Sequence, residues 1–251
     1  VNTTFRYKIS QNELTGPLDL PGNPDAHIYN NTFYMNENIT SIFDRTGGNA
    51  VMENNIFYYD GKTPLSQNWY PGGTIVYDNN LYYNFANTPS GDENAVVVSA
   101  GTKVLEDAGS GPSANASGKA YINTDATVFD GYKLPDDSPA VNAGKQITDN
   151  NGYVQEHDFF GHALTSVPEI GAAESDVVSL KAASHTYEIS DQNGISGLAK
   201  NTTVEKLLKN LIIDSAVEVT VKSGDKVLAA DDVVKGGDTI ALTYNGQSVE
   251  Y

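Results

Sequence analysis

The sequence predicts a mainly β protein: a parallel β-solenoid over residues 1–174, a linker at 175–184, and a small α+β module over 185–251. Three observations predict it. An Asn-Asn pair followed within three residues by an aromatic side chain returns at nearly constant spacing in the first part. All ten Pro, all eight Phe and the single Trp lie at or before Pro168, so composition changes near Glu174–Ser184. The last part instead combines alternating Val and Leu strands with one amphipathic helical stretch.

The repeat is the strongest of these signals. Tyr29-Asn30-Asn31-Thr32-Phe33-Tyr34 reappears as Glu53-Asn54-Asn55-Ile56-Phe57-Tyr58 and as Asp78-Asn79-Asn80-Leu81-Tyr82-Tyr83. The steps are 24 and 25 residues, and a degenerate copy, Phe5-Arg6-Tyr7-Lys8-Ile9-Ser10, places Lys8 23 residues before Asn31. A sandwich gives turn signals every 8–12 residues or so, whereas a solenoid repeats one coil at about this longer period. Equivalent residues then stack about 4.8 Å apart, so Asn side chains can bond in a ladder along the axis. Phe33, Phe57 and Tyr82 are expected to form an inner column, with Thr32, Ile56 and Leu81 facing the other way or lying in a neighbouring column.

Later elements follow in order. Ser66-Gln67-Asn68-Trp69-Tyr70-Pro71-Gly72-Gly73 is a polar insertion between the second and third Asn-Asn repeats. Ser138-Pro139-Ala140-Val141-Asn142-Ala143-Gly144, Asp158-Phe159-Phe160-Gly161 and Pro168-Glu169-Ile170-Gly171-Ala172-Ala173-Glu174 are expected to close the C-terminal end of the coils. In the module, His185, Tyr187 and Ile189 alternate as a strand, and Thr202-x-x-Glu205 reads as a capping box. Val204, Leu207, Leu208 and Leu211 share one helical face. Val217, Val219 and Val221 alternate as a strand turned by Ser223-Gly224-Asp225, and Ile240, Leu242 and Tyr244 lead into an Asn245-Gly246 hairpin. The first part opens in mid-repeat and the last strand stops at Tyr251, which predicts a piece of a longer protein.

Composition narrows the function. The formal charge is −17, of which residues 1–174 hold 8 basic against 21 acidic side chains and the remainder 7 against 11. Such a surface repels nucleic acid and anionic membranes and disfavours polyanionic glycans. No apolar run reaches the roughly 18 residues a membrane span needs. Zero Cys excludes a disulfide scaffold and a thiol nucleophile. His27, His157, His162 and His185 lack zinc-ligand spacing, and calcium-loop, phosphate-loop and serine-elbow motifs are absent, so neither a metal nor a cofactor is expected.

Carboxylates and aromatics remain. Glycoside hydrolysis needs two carboxyl groups about 5–9.5 Å apart. Asp19 and Asp25 flank a Pro-Gly-Asn-Pro turn, and Asp44, Glu53 and Asp60 lie in repeat phase with the insertion, but none forms a tight pair on a strand. Trp69 and Tyr70 suit stacking on a sugar face, and Trp69 equally suits closing the apolar edge of its loop. Asp25, His27 and Arg45 complete the candidate substrate contacts; Arg45 also reads simply as an Asp-paired surface residue. A polysaccharide lyase would need a Lys or Arg base, and Arg6, Lys8, Arg45 and Lys62 are the basic residues among the repeats.

The closing segment resembles that of secreted right-handed parallel β-helix proteins, with Asn142 for Asp, Glu169 for Asp and Ala173 for an aromatic residue. The coils carrying Phe5-Arg6-Tyr7-Lys8, His27-Ile28-Tyr29-Asn30-Asn31 and Glu53-Asn54-Asn55-Ile56-Phe57 resemble later coils of glycoside hydrolase family 136. That resemblance implies the C-terminal part of a secreted or surface-borne bacterial enzyme, acting on neutral oligosaccharides with two aspartates by a retaining mechanism. It implies that the aspartates lie upstream, since no stretch here matches their coil; the catalytic residues stay unknown. It further implies a glycan partner and, through flanking domains, a cell-wall or scaffold link. A lyase and a non-catalytic adhesive β-helix are the alternatives.

Overall fold

The computed structural model describes residues 3–12, 15–22, 25–45, 47–112, 126–149, 151–162, 164, 167–175, 181–182, 187–190, 194–213, 217–244 and 247–251. His185, the Asn245-Gly246 turn and most of the 175–184 linker lie outside them. The chain divides into two compact units, Val1–Ser175 and Asp176–Tyr251.

The first unit is a β-solenoid of roughly three turns. Its strands are β1 (Thr3–Arg6), β2 (Ile9–Gln11), β3 (Leu18–Asp19), β4 (Asp25–Tyr29), β5 (Thr32–Asn36) and β6 (Phe43–Arg45). They continue as β7 (Asn49–Glu53), β8 (Ile56–Asp60), β9 (Ile75–Asp78), β10 (Leu81–Tyr83) and β11 (Val96–Val98). The first parallel sheet runs β1-β4-β7-β9, the second β2-β5-β8-β10-β11, and β3 pairs with β6 on a third side. Register follows the sequence repeat: Thr32 sits beside Ile56 and Ile56 beside Leu81.

The Asn-Asn pairs make the corner between the first and second sheets. Asn30, Asn54 and Asn79 have φ of 49°, 52° and 61°. Asn tolerates this left-handed region because its short polar side chain bonds locally. Tyr7 holds the same place in the first coil at φ 47°, where a bulky residue is strained.

Each Asn of a pair has its own ladder. The second one points inward: Asn31 Nδ2 donates to Asn55 Oδ1 at 3.0 Å, and Asn55 Nδ2 donates to Asn80 Oδ1 at 3.0 Å. Asn80 Nδ2 then donates to Asp92 Oδ2 at 2.9 Å, and Asp92 also accepts from Tyr82 Oη at 2.8 Å and Asn79 N at 2.7 Å. The first Asn forms an outer ladder of opposite direction, Asn79 to Asn54 at 2.8 Å and Asn54 to Asn30 at 3.2 Å. The interior is an aromatic column: Phe33–Phe57 and Phe57–Tyr82 stack at 5.4 and 5.5 Å.

Thr32, Ile56 and Leu81 do face the other way, yet all three are buried. The polypeptide beyond residue 100 covers them, with Val104, Leu105, Tyr132, Leu134, Ala140 and Ile170 completing a second core on the outside of the second sheet. The segments 138–149 and 167–175 form a strap along the side of the coils rather than a plug across one end. The outer Asn ladder fastens it, since Asn79, Asn54 and Asn30 donate to Ala143 O, Lys145 O and Glu169 O at 2.9, 2.7 and 3.0 Å. Gly171 has φ +107°, and a Cβ there would meet Ile56 Cδ1 at 2.5 Å.

The second unit holds a four-stranded antiparallel sheet in which Glu218–Ser223 pairs with Thr239–Tyr244, and that strand with Gln247–Glu250. Val221, Ile240 and Leu242 pack on one helix, Val204–Lys209. The helix is shorter than its apolar pattern, because Leu211 already belongs to the strand Leu211–Ile212. Its N-cap is Thr203, which accepts from Lys206 N at 3.3 Å, not Thr202. Thr202 Oγ1 instead donates to Ala199 O at 2.7 Å, and Glu205 pairs with Lys209.

Candidate functional site

Strand alternation fixes which side chains the first sheet offers outward. Ala26, Ile28, Ala50, Met52, Ile75 and Tyr77 belong to the inner core. Asp25, His27 and Tyr29 on β4, Asn49, Val51 and Glu53 on β7, and Val76 and Asp78 on β9 therefore face out. Register stacks Arg6, Tyr29, Glu53 and Asp78 in one column.

This face carries a continuous polar chain. His27 Nε2 lies 2.6 Å from Glu53 Oε2, and Lys145 Nζ donates to Glu53 Oε1 at 2.6 Å. The same ammonium pairs with Asp78, and Asn94 Nδ2 donates to Asp78 Oδ1 at 2.9 Å. Burial pushes the Glu53 carboxyl up, but the His27 and Lys145 hydrogen bonds outweigh it and hold it below the usual range. Asp78 is likewise held low, burial being outweighed by Lys145 and Asn94. Burial disfavours the Lys145 ammonium, yet the two carboxylates keep its pKa above the ordinary lysine value.

The sequence candidates fall in four places. Asp25 and His27 share the outer face of β4; Asp25 is exposed and accepts from Asn49 Nδ2 at 3.1 Å, while His27 is buried against Tyr29, ring centroids 4.7 Å apart. Arg45 lies on β6, on a different side of the coil, where it forms a two-pronged exposed pair with Asp19. Trp69 corrects the sugar-stacking expectation: it is 2 % exposed inside the solenoid, edge-on to Phe57 and Tyr82, and Nε1 donates to Asn87 O at 2.9 Å. The indole packs among the rings of Phe57, Tyr77, Tyr82 and Phe85, so it is worth more as core than as surface. Tyr70, 48 % exposed, is the solvent-facing aromatic of that pair, and its hydroxyl accepts from Gly91 N at 3.3 Å.

The carboxylates can be tested against glycosidase chemistry, which pairs one carboxyl raised into the acid role with one kept ionised. Glu53 and Asp78 occupy adjacent coils, but both are held ionised by a shared lysine, so neither is poised to donate a proton. Glu174 does have a raised pKa, through burial and then Glu169, yet both side chains are buried, out of reach of a substrate. Asp60 is committed to Tyr34 Oη at 2.7 Å and Asp44 stands exposed on β6. Among these acids, therefore, no accessible pair combines one carboxyl raised into the acid role with one kept ionised. Nor do any three His, Asp or Glu among the described residues converge to hold a metal ion.

Lys145 and Asp78 were not singled out by sequence reasoning. Glu53 and Asp78 begin two of the Asn-Asn repeats, which marks them as stacked acids; Lys145 has no periodic signal, being 92 residues from Glu53.

No protein-family model matches the sequence. A lacto-N-biosidase of Bifidobacterium longum subsp. longum is 41% identical over 240 residues, covering 88% of this chain. The alignment takes in 15% of that relative, so the chain corresponds to a small part of a much larger protein. Over most of its length, this chain is a homologue of a segment of that lacto-N-biosidase.

Proposed function

We propose that the chain forms the C-terminal coils of a glycoside hydrolase of the lacto-N-biosidase type, exported by a bacterium and acting on neutral oligosaccharides. The 41% identity across most of the chain carries this reading. The catalytic carboxylates lie elsewhere in the parent polypeptide, and these coils supply part of the wall beside them. Two features support that division. Glu53 and Asp78 of the first sheet are neutralised by Lys145 rather than poised. Among the described residues, β1 and β2 each pair along one edge only, and Phe5, stacked on Phe33 with ring centroids 6.2 Å apart, is 37 % exposed.

A lyase is less well supported. Arg6 is engaged by Asp149, Arg45 by Asp19, Lys62 by Glu37 and Lys145 by Glu53 and Asp78, which leaves these cations ill suited to abstract a proton; Lys8, exposed beside the cleft at Arg6, is the candidate base to which this does not apply.

The test is the full parent protein assayed on lacto-N-tetraose, beside the present chain alone. Disaccharide release by the parent and none by the chain is expected. No release by the parent overturns the substrate, and release by the chain alone overturns the placement of the carboxylates.

A further inference from the structure

The far end of the strap holds two carboxyl groups that the glycan reading leaves unused. Glu169 and Glu174 flank Ile170-Gly171-Ala172-Ala173, a stretch pressed against the second sheet, and both acids are 3 % exposed. Glu169 N donates to Glu174 Oε1 at 3.3 Å, and Ser175 Oγ donates to Glu169 Oε1 at 2.6 Å. Their remaining oxygens, Glu169 Oε2 and Glu174 Oε2, are buried with no hydrogen-bond partner among the described residues.

Among the described residues, the surrounding charges do not compensate. The loop at 156–162 contributes a third enclosed acid, Asp158, which accepts from Glu174 N at 2.7 Å and has His162 Nδ1 3.4 Å away. The corner after β1 contributes the Tyr7 hydroxyl, whose pKa is pushed up by burial and then by Glu174. Arg6 and Lys8 line the cleft bordered by Asp158, but Arg6 is turned to Asp149 and Gln155.

We propose that Glu169 and Glu174 share one proton in the folded protein, and that losing it as pH rises loosens this end of the strap. A buried carboxylate without a cation neutralises rather than remaining charged. Protonating one acid turns an orphan oxygen into a donor for the other, so a single proton satisfies both. Burial, followed by the neighbouring Glu169, raises the Glu174 pKa well above its usual value. The linkage has a definite sign. The folded chain then holds a proton that the unfolded chain has released, so stability falls as pH climbs from about 4.3, the ordinary Glu value, to the raised one, and then levels. Each pH unit in that window costs up to about tenfold in the folding equilibrium per proton.

Glu174→Gln keeps the shape and brings a permanent N–H donor. Melting of the whole chain between about pH 5 and 8 is expected to fall with pH in the wild type and to stay flatter in E174Q. Equal slopes in the two proteins overturn the proposal. Should E174Q not fold, the infrared spectrum of the wild type decides. A protonated-acid carbonyl band at about pH 7, where an exposed Glu is fully ionised, supports the shared proton; absence of that band overturns it. Stabilisation by calcium that a chelator erases, with that band missing, assigns the site to a cation and overturns it as well.

Discussion

Asp92 shows how much one side chain decides. The inner ladder passes a donor from Asn31 to Asn55 to Asn80, and the last donor needs an acceptor that asks for none in return. A carboxylate meets that need and takes the Tyr82 hydroxyl besides. Asp92→Asn puts an amide where only acceptors fit, and it should cost about 1–3 kcal/mol, read as a lower denaturant midpoint with unchanged slope. Trp69 and Tyr70 make a second contrast at this scale. Trp69→Ala opens a cavity among Phe57, Tyr77 and Tyr82 and should cost about 3–5 kcal/mol. Tyr70→Ala should change stability by no more than about 0.5 kcal/mol, so any loss of glycan affinity it causes reports contact rather than folding.

Among the elements, the strap matters most, because it turns an ordinary outward column into a second core. Its charge staple, Lys145 across Glu53 and Asp78, responds to acid. The carboxyl pKa values are depressed in the fold, so this contribution is complete above the unfolded values near 4 and is lost as pH falls through the folded ones. Lys145→Gln should therefore lower the melting temperature at about pH 7, and the difference from wild type should shrink as pH falls through the depressed carboxyl values. Gly171→Ala tests the same element by sterics. The added Cβ must displace Ile56 from a left-handed backbone position, at a cost of about 1–3 kcal/mol. Increased binding of a hydrophobic dye should accompany it as Leu81 and Ile56 lose their cover.

For the whole molecule, separate cores imply separate melting. Trp69 and Asp92 support the solenoid, while the cluster around Leu207, Val221 and Leu242 draws only on the second unit. Calorimetry should show two transitions, and W69A should move one of them. The same scale separates what was legible in the sequence from what was not. Coil period, corner residues and the Phe33-Phe57-Tyr82 column could be read because stacking makes each coil repeat its neighbour's chemistry. The fate of Ile56 and Leu81 could not, since the residues that bury them come from an aperiodic stretch beyond Val104. The polar chain from His27 to Asp78 was half visible. His27 and Glu53 sit inside repeats, but the lysine that neutralises the acids arrives from 92 residues away. For Trp69 the sequence offers both a sugar-facing and a loop-closing reading, and the choice between them depends on the space around Phe57 and Tyr82, which no local pattern records.

The strap's carbonyls meet the outer Asn ladder one coil at a time: Ala143 at Asn79, Lys145 at Asn54, Glu169 at Asn30. That correspondence makes the strap a ruler. An inserted 24-residue coil would lengthen the stack by about 4.8 Å and leave one corner Asn without a mark to meet. Splicing in a repeat without a matching addition to the strap would therefore put every later mark out of step. The stacking of these three coils is thus measured from outside, by a segment that belongs to none of them.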